Sequence, residues 1–264
     1  MPASQPLYYE THGSKASPAI LMLHGFLGSS KDWREVTDTL KSKFFCILPD
    51  LPGHGRTKSL SDADYSMQSA ALSLLAILNQ EEIKQAVLVG YSMGGRLALY
   101  LALTHPEYFS ELILESASPG LKTEKERQAR IESDSGVIRS LKTQTMEEFI
   151  TNWYSQPLFD SIREDSSKFE ELLKSRSENN SENLSKSLKF MGSGVQPSLW
   201  DILPDLKQPT LLIVGANDNK FKSVACEMQE RSEAISLATI ASAGHNVHFE
   251  RPQEFVMELQ KFLK

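Results

Sequence analysis

Short apolar runs alternate with amphipathic helical patterns along most of this chain. Apolar stretches at Ala19–His24, Phe45–Asp50, Ala86–Gly90, Leu112–Glu115, Thr210–Gly215 and Ser236–Ile240 predict strands. Runs such as Val87-Leu-Val-Gly90 are apolar at every position, which fits strands covered on both faces. Helical patterns near Trp33–Leu40, Met67–Leu78, Gly94–Thr104, Lys222–Glu233 and Pro252–Leu263 fill the gaps. Strand, helix, strand, helix predicts an α/β fold with a mostly parallel central sheet flanked by helices.

The alternation breaks between Pro119 and Pro209, where the chain turns charged and rich in Ser and Asn. A stretch of that length inside a compact domain is not a bare loop. Helical patterns at Glu124–Arg130, Met146–Tyr154 and Phe169–Ser177 predict an inserted helical cap over residues 119–205, with 1–118 and 206–264 forming the core domain. The Ser175–Ser187 portion reads as a solvated turn and helix edge.

Composition narrows the picture. The 264 residues are 40% hydrophobic and 23% charged, which suits one globular domain with an insertion. A net charge of −6 offers nucleic acid and acidic membranes no general attraction, so neither is expected as a partner. Any anionic substrate must be met by locally placed cations. The polar stretch Met1–Pro18 has no apolar signal core, and no run approaches a membrane span. Cys46 and Cys226 have no metal-binding spacing and read as reduced structural thiols, so a cytoplasmic setting with no metal and no cofactor is expected.

The chemistry concentrates at Gly90-Tyr-Ser-Met-Gly94, a G-x-S-x-G between a predicted strand and a predicted helix. Its glycines permit the sharp turn that lifts Ser92 above a sheet as a nucleophile. A serine hydroxyl is inert at neutral pH without a base. Of six histidines, His245 follows the last predicted strand, where a loop can bring it over Ser92, and His248 is a weaker contender. His12 reads as part of a surface hairpin. Asp218, directly after the strand ending at Gly215, is the candidate to orient the imidazole. The order Ser, Asp, His is the one this architecture uses, and it assigns the oxyanion-binding N–H groups to Phe26 and Met93.

Taken together, His24-Gly-Phe-Leu-Gly28, Asp50-Leu-Pro-Gly-His-Gly55, Gly90-Tyr-Ser-Met-Gly-Gly-Arg96 and Gly244-His-Asn-Val-His248 resemble the α/β-hydrolase superfamily. Narrower marks resemble the 2-succinyl-6-hydroxy-2,4-cyclohexadiene-1-carboxylate synthases of menaquinone and phylloquinone biosynthesis. These are Arg96, Ser118-Pro-Gly-Leu121 leading to Arg127 and Arg130, Trp153-Tyr-Ser-Gln-Pro-Leu-Phe159, Arg176, Gln196-Pro-Ser-Leu-Trp200 and Asp218-Asn-Lys-Phe221.

The resemblance implies a lyase that expels pyruvate from a cyclohexene carrying three carboxylates, with Ser92 acting as a base. It assigns substrate binding to Arg96, Arg130 and Arg176, because the planar guanidinium fork matches a carboxylate. Tyr91 and Trp153 would line the ring pocket. Two other readings use the same serine and histidine: a hydrolase of esters or carbon–carbon bonds, and a ligand receptor that has kept an intact triad.

Overall fold

The computed structural model describes residues 6–57 and 60–263; residues 1–5, at the head of the polar N-terminal stretch read for a signal, lie outside it. The chain begins with strand Tyr9–His12 (β1), then Ala19–Leu23 (β2), helix Arg34–Leu40 (α1), Phe45–Pro49 (β3), Met67–Gln80 (α2), Ala86–Tyr91 (β4), Met93–Thr104 (α3) and Phe109–Glu115 (β5). Four helices follow: Glu124–Thr143 (α4), Met146–Tyr154 (α5), Ser166–Arg176 (α6) and Ser181–Met191 (α7). The chain then returns to the sheet with Thr210–Gly215 (β6), Asn219–Arg231 (α8), Ile235–Ile240 (β7), Val247–Glu250 (α9) and Pro252–Phe262 (α10).

Among the described residues, seven strands form one sheet in the order β1-β3-β2-β4-β5-β6-β7. Only β1 runs antiparallel, pairing with β3; the other five pairings are parallel. From β2 the chain moves one way to β3, then crosses back to β4 and continues outward on the other side. Such a reversal leaves a crevice at the carboxyl ends of the strands, where ligands gather in open parallel sheets.

Every residue of β2, β3, β4 and β6 is buried, as a sheet covered on both faces requires. One apolar cluster lies where α2, α3 and α8 pack against the sheet. A second lies on the opposite face, under α1 and α10 around Trp33 and Phe255.

Two elements differ from the sequence reading. His12 ends an edge strand and not a free hairpin: β1 is short and half polar, so it carries little apolar signal. The Ser175–Ser187 stretch is not simply solvated, because α7 occupies most of it and buries Leu184 and Leu188. Those two leucines belong to a third apolar cluster with Leu141, Phe149, Tyr154 and Phe159, which also takes in Leu27 from the loop after β2. Among the described residues, no helix is long and apolar enough to cross a membrane.

Candidate active site

Ser92 occupies the one-residue turn between β4 and α3, with φ +49° and ψ −105°. A non-glycine residue there stores roughly 1–3 kcal/mol of strain, so surrounding structure must fix it. The Ser92 N–H donates to the Glu115 carbonyl on β5 at 2.9 Å, and the Ser92 carbonyl accepts from Arg96 N–H at 3.0 Å. Space in the turn depends on Gly90, where an added Cβ would stand 2.5 Å from the Gly94 carbonyl oxygen.

His245 follows β7 and brings Nε2 to 3.1 Å from Ser92 Oγ. Its Nδ1 lies 2.7 Å from Asp218 Oδ2. A carboxylate only accepts, so Nδ1 carries the proton and Nε2 presents its lone pair to the serine hydroxyl. Asp218 is fixed in turn as the N-cap of α8, its Oδ1 accepting from Phe221 N–H at 3.1 Å. Asp218 and His245 are 5% and 3% exposed, so their bond is protected from competing water.

The loop bearing His245 is held by a residue that the sequence reading did not single out. Glu250 accepts from the N–H of Gly244 at 2.8 Å and of Asn246 at 3.2 Å, the two amides flanking the histidine. Burial raises the Glu250 pKa; these amides and the Ser161 hydroxyl oppose the rise. The only signal in sequence was a carboxylate five residues after His245.

The three other buried histidines each have a hydrogen-bonded ring nitrogen. His248 bonds Glu115 through Nδ1 at 2.7 Å and stacks on Trp33 with ring centroids 4.1 Å apart, so it is a core residue. His24 Nε2 accepts from Leu51 N–H at 2.9 Å, which leaves Nδ1–H to donate to the Gly25 carbonyl at 2.8 Å. His54 Nδ1 donates to the Pro52 carbonyl at 3.0 Å. Burial lowers the pKa of both His24 and His54. Among the described residues, neither the Phe26 nor the Met93 N–H has an acceptor. Both amides are therefore free to meet an oxyanion.

The three arginines are placed differently. Arg96 is partly buried on α3, and its Nη1 donates to the Met191 carbonyl at 3.2 Å and to Gln196 Oε1. Both acceptors are neutral, and among the described residues no carboxylate pairs with Arg96. Burial lowers its pKa to about 10, with nearby Arg130 acting in the same direction and Asp134 opposing, yet the group stays charged at neutral pH. Arg130 pairs with Asp134 one turn along α4, Nε to Oδ1 at 2.7 Å. Arg176 is committed to Asp32 and donates Nε–H to the Tyr154 hydroxyl at 3.1 Å. Burial acts to lower the Arg176 pKa, but the charges and hydrogen bonds of Asp32 and Tyr154 together outweigh it and the net shift is upward.

Aromatic rings close the space above the serine. Trp153 lies edge-on to Phe26 at 5.1 Å and near Phe159 at 6.3 Å, and Phe159 in turn faces the His245 ring at 6.1 Å. Tyr91 is buried beside His245, 5.5 Å between centroids. Burial holds the Tyr91 hydroxyl well above its usual pKa, so it remains a donor. Phe221 flanks His245 at 4.6 Å. Phe159 and Phe221 appeared in the sequence only as family marks, with no role attached. The two cysteines are free, as read from their spacing: Cys46 is buried, with its thiol pushed up to about 12, while Cys226 is exposed on α8.

A serine on a strained strand-to-helix turn, a histidine and aspartate following later strands, and two free amides define an α/β hydrolase. The family model for the α/β hydrolase fold matches residues 18–252. Within it, this chain belongs to the 2-succinyl-6-hydroxy-2,4-cyclohexadiene-1-carboxylate synthase family. It is 33% identical to the enzyme of that name from Pectobacterium atrosepticum, over 96% of this chain and 97% of that one. A Bacillus subtilis protein provisionally assigned the same activity is 37% identical, over 95% of this chain and 92% of its own. The solved structure of MenH from S. aureus superposes with a TM-score of 0.92 at 31% identity, covering 97% of each chain.

Proposed function

We propose that this chain eliminates pyruvate from 2-succinyl-5-enolpyruvyl-6-hydroxy-3-cyclohexene-1-carboxylate, giving 2-succinyl-6-hydroxy-2,4-cyclohexadiene-1-carboxylate in menaquinone or phylloquinone biosynthesis. The observation that carries this reading is Arg96. A partly buried cation near the elbow whose hydrogen-bond acceptors are both neutral suits an anionic ligand, because a charge withdrawn from water favours a charged partner. Ester hydrolysis by the same triad calls for no such group.

In this reading Ser92 is the base. His245 takes the Ser92 hydroxyl proton through Nε2, with Asp218 stabilising the imidazolium that results. The serine oxygen then removes the proton from the ring carbon beside the succinyl ketone. The electron pair moves through the ring and breaks the carbon–oxygen bond to the enolpyruvyl group. Pyruvate leaves as its enolate and takes up a proton. The Phe26 and Met93 N–H groups stabilise the negative charge that develops on the ketone oxygen.

Arg96 takes one substrate carboxylate, and Arg130 a second while sharing its charge with Asp134. Arg176 offers only the N–H groups that Asp32 and Tyr154 leave over. Tyr91 and Trp153 flank the ring, and the helical insertion over 119–205 acts as the cap that excludes water. The partner is thus a small tricarboxylate and not nucleic acid or a membrane, and a reducing cytoplasm suits two free thiols.

The test is incubation with the enolpyruvyl cyclohexene, following pyruvate. Release by the wild type that Ser92→Ala lowers by several orders of magnitude supports the reading. No release by a folded wild type, together with turnover of simple aryl esters, overturns it.

A further inference from the structure

The loop after β2 makes a tight turn from Gly25 to Gly28, closed by Gly28 N–H donating to the Gly25 carbonyl at 3.0 Å. Phe26 and Leu27 are its central residues. Leu27 has φ +67°, a conformation that the third position of such turns normally reserves for glycine or asparagine. A leucine there is strained, so something outside the turn must hold it.

Two contacts do, and both come from the helical insertion. The Leu27 side chain is fully buried in the cluster formed by α4 to α7. The Leu27 carbonyl accepts from Asn179 Nδ2 at 2.9 Å. Asn179 stands just after α6, where Nδ2 also donates to the Arg176 carbonyl at 3.1 Å and Oδ1 accepts from Gly55 N–H at 3.3 Å. One carboxamide therefore ties together the Phe26 turn, the Pro52–Gly55 turn and the end of α6. The neighbouring Arg176–Asp32 pair fastens the same helix end to the segment that follows the turn.

We infer that Asn179 is a positioning residue for the reaction: by holding the Leu27 carbonyl it sets the tilt of the Gly25–Gly28 turn, and with it the direction of the Phe26 N–H. This rests on the reading of Phe26 N–H as an oxyanion donor. It makes the insertion a structural part of the catalytic centre as well as a cover. A misdirected amide weakens a bond formed to developing charge, so the loss falls on turnover and not on ground-state binding.

Asn179→Asp separates the contacts, being the same shape and keeping an acceptor for Gly55 N–H while losing the donor to Leu27. Asn179→Ala loses both. In the wild type and both variants, kcat and KM for pyruvate release are measured beside amide hydrogen exchange of a peptide spanning Phe26–Gly28. Both variants should lose about tenfold or more in kcat, up to the roughly hundred- to thousandfold that one oxyanion donor contributes. KM should stay within about threefold, and the Phe26–Gly28 amides should exchange faster.

Wild-type kcat and exchange in Asn179→Asp would overturn the proposal. So would faster exchange with unchanged kcat, since the turn would then be held but not used, and so would a rise confined to KM. If the wild type releases no pyruvate, the proposed function fails, while the exchange comparison still reports whether Asn179 holds the turn.

Discussion

Arg176 and Asp32 face each other fork to fork, with Nη1–Oδ1 at 2.6 Å and Nη2–Oδ2 at 2.8 Å. Their side chains are 3% and 7% exposed. Removing one partner of such a pair leaves an uncompensated buried charge, which costs on the order of 3–5 kcal/mol. Arg176→Ala should therefore lower the unfolding free energy by that order, seen as a lower urea midpoint, before any kinetic effect is read. An unchanged midpoint with only a raised KM would make Arg176 chiefly a substrate ligand.

Arg96 should behave in the opposite way. Arg96→Ala should reduce kcat/KM for the tricarboxylate by roughly tenfold or more, the worth of one charge-assisted bond to a carboxylate. A neutral aryl ester, if the enzyme turns one over, should lose far less. Arg127, paired only with Glu124 on the surface of α4, is the control and should be near wild type when changed to Ala. Equal losses on both substrates would remove Arg96 from carboxylate recognition.

Glu250→Gln should lower kcat without a matching change in KM. The carboxylate accepts from two backbone amides at once, whereas a carboxamide has one oxygen and would turn its NH2 group toward the other N–H. The His245 loop would then be held at one point only, and about a tenfold loss in kcat is expected from a misplaced base. Steady-state kinetics with wild-type KM and wild-type kcat would argue against the clamp.

Acid should destabilise the fold through His24 and His54. Both have pKa values lowered by burial, so the unfolded chain binds their protons more readily than the folded one does. The sign follows: stability is full above the unfolded value of about 6.5 and is lost as pH falls below it, by up to about 1.4 kcal/mol per unit and group. Urea titrations at stepped pH should show this slope beginning near pH 6.5, and His54→Asn should flatten it. A flat profile from pH 7 to 5 in the wild type would contradict it.

Much of this was legible in the chain. Continuous apolar runs marked the buried parallel strands, because a two-faced environment leaves no polar alternation, and β6 begins and ends where the pattern put it. The elbow was readable because its glycines answer a local steric demand at Gly90. The charged helices of the insertion were harder. The pattern for α4 faded at Arg130, although the helix runs to Thr143, because Asp134 and Leu141 are its only buried residues. The commitment of Arg176 to Asp32 and the bridge from Asn179 to Leu27 each join residues more than a hundred positions apart. No local spacing encodes such pairings. The sequence could supply the cations, but not which of them already has a carboxylate.

In the proposed reaction Ser92 serves as a base in an elimination and forms no bond to the substrate. Intact-protein mass spectrometry of the wild type, acid-quenched at intervals during turnover of the enolpyruvyl cyclohexene, tests it most directly. An unmodified protein mass is expected at every interval, with pyruvate and the conjugated diene appearing together in equal amounts. A substrate-derived mass on Ser92 that rises and decays with turnover would contradict it and make the enzyme an acyl-transfer catalyst.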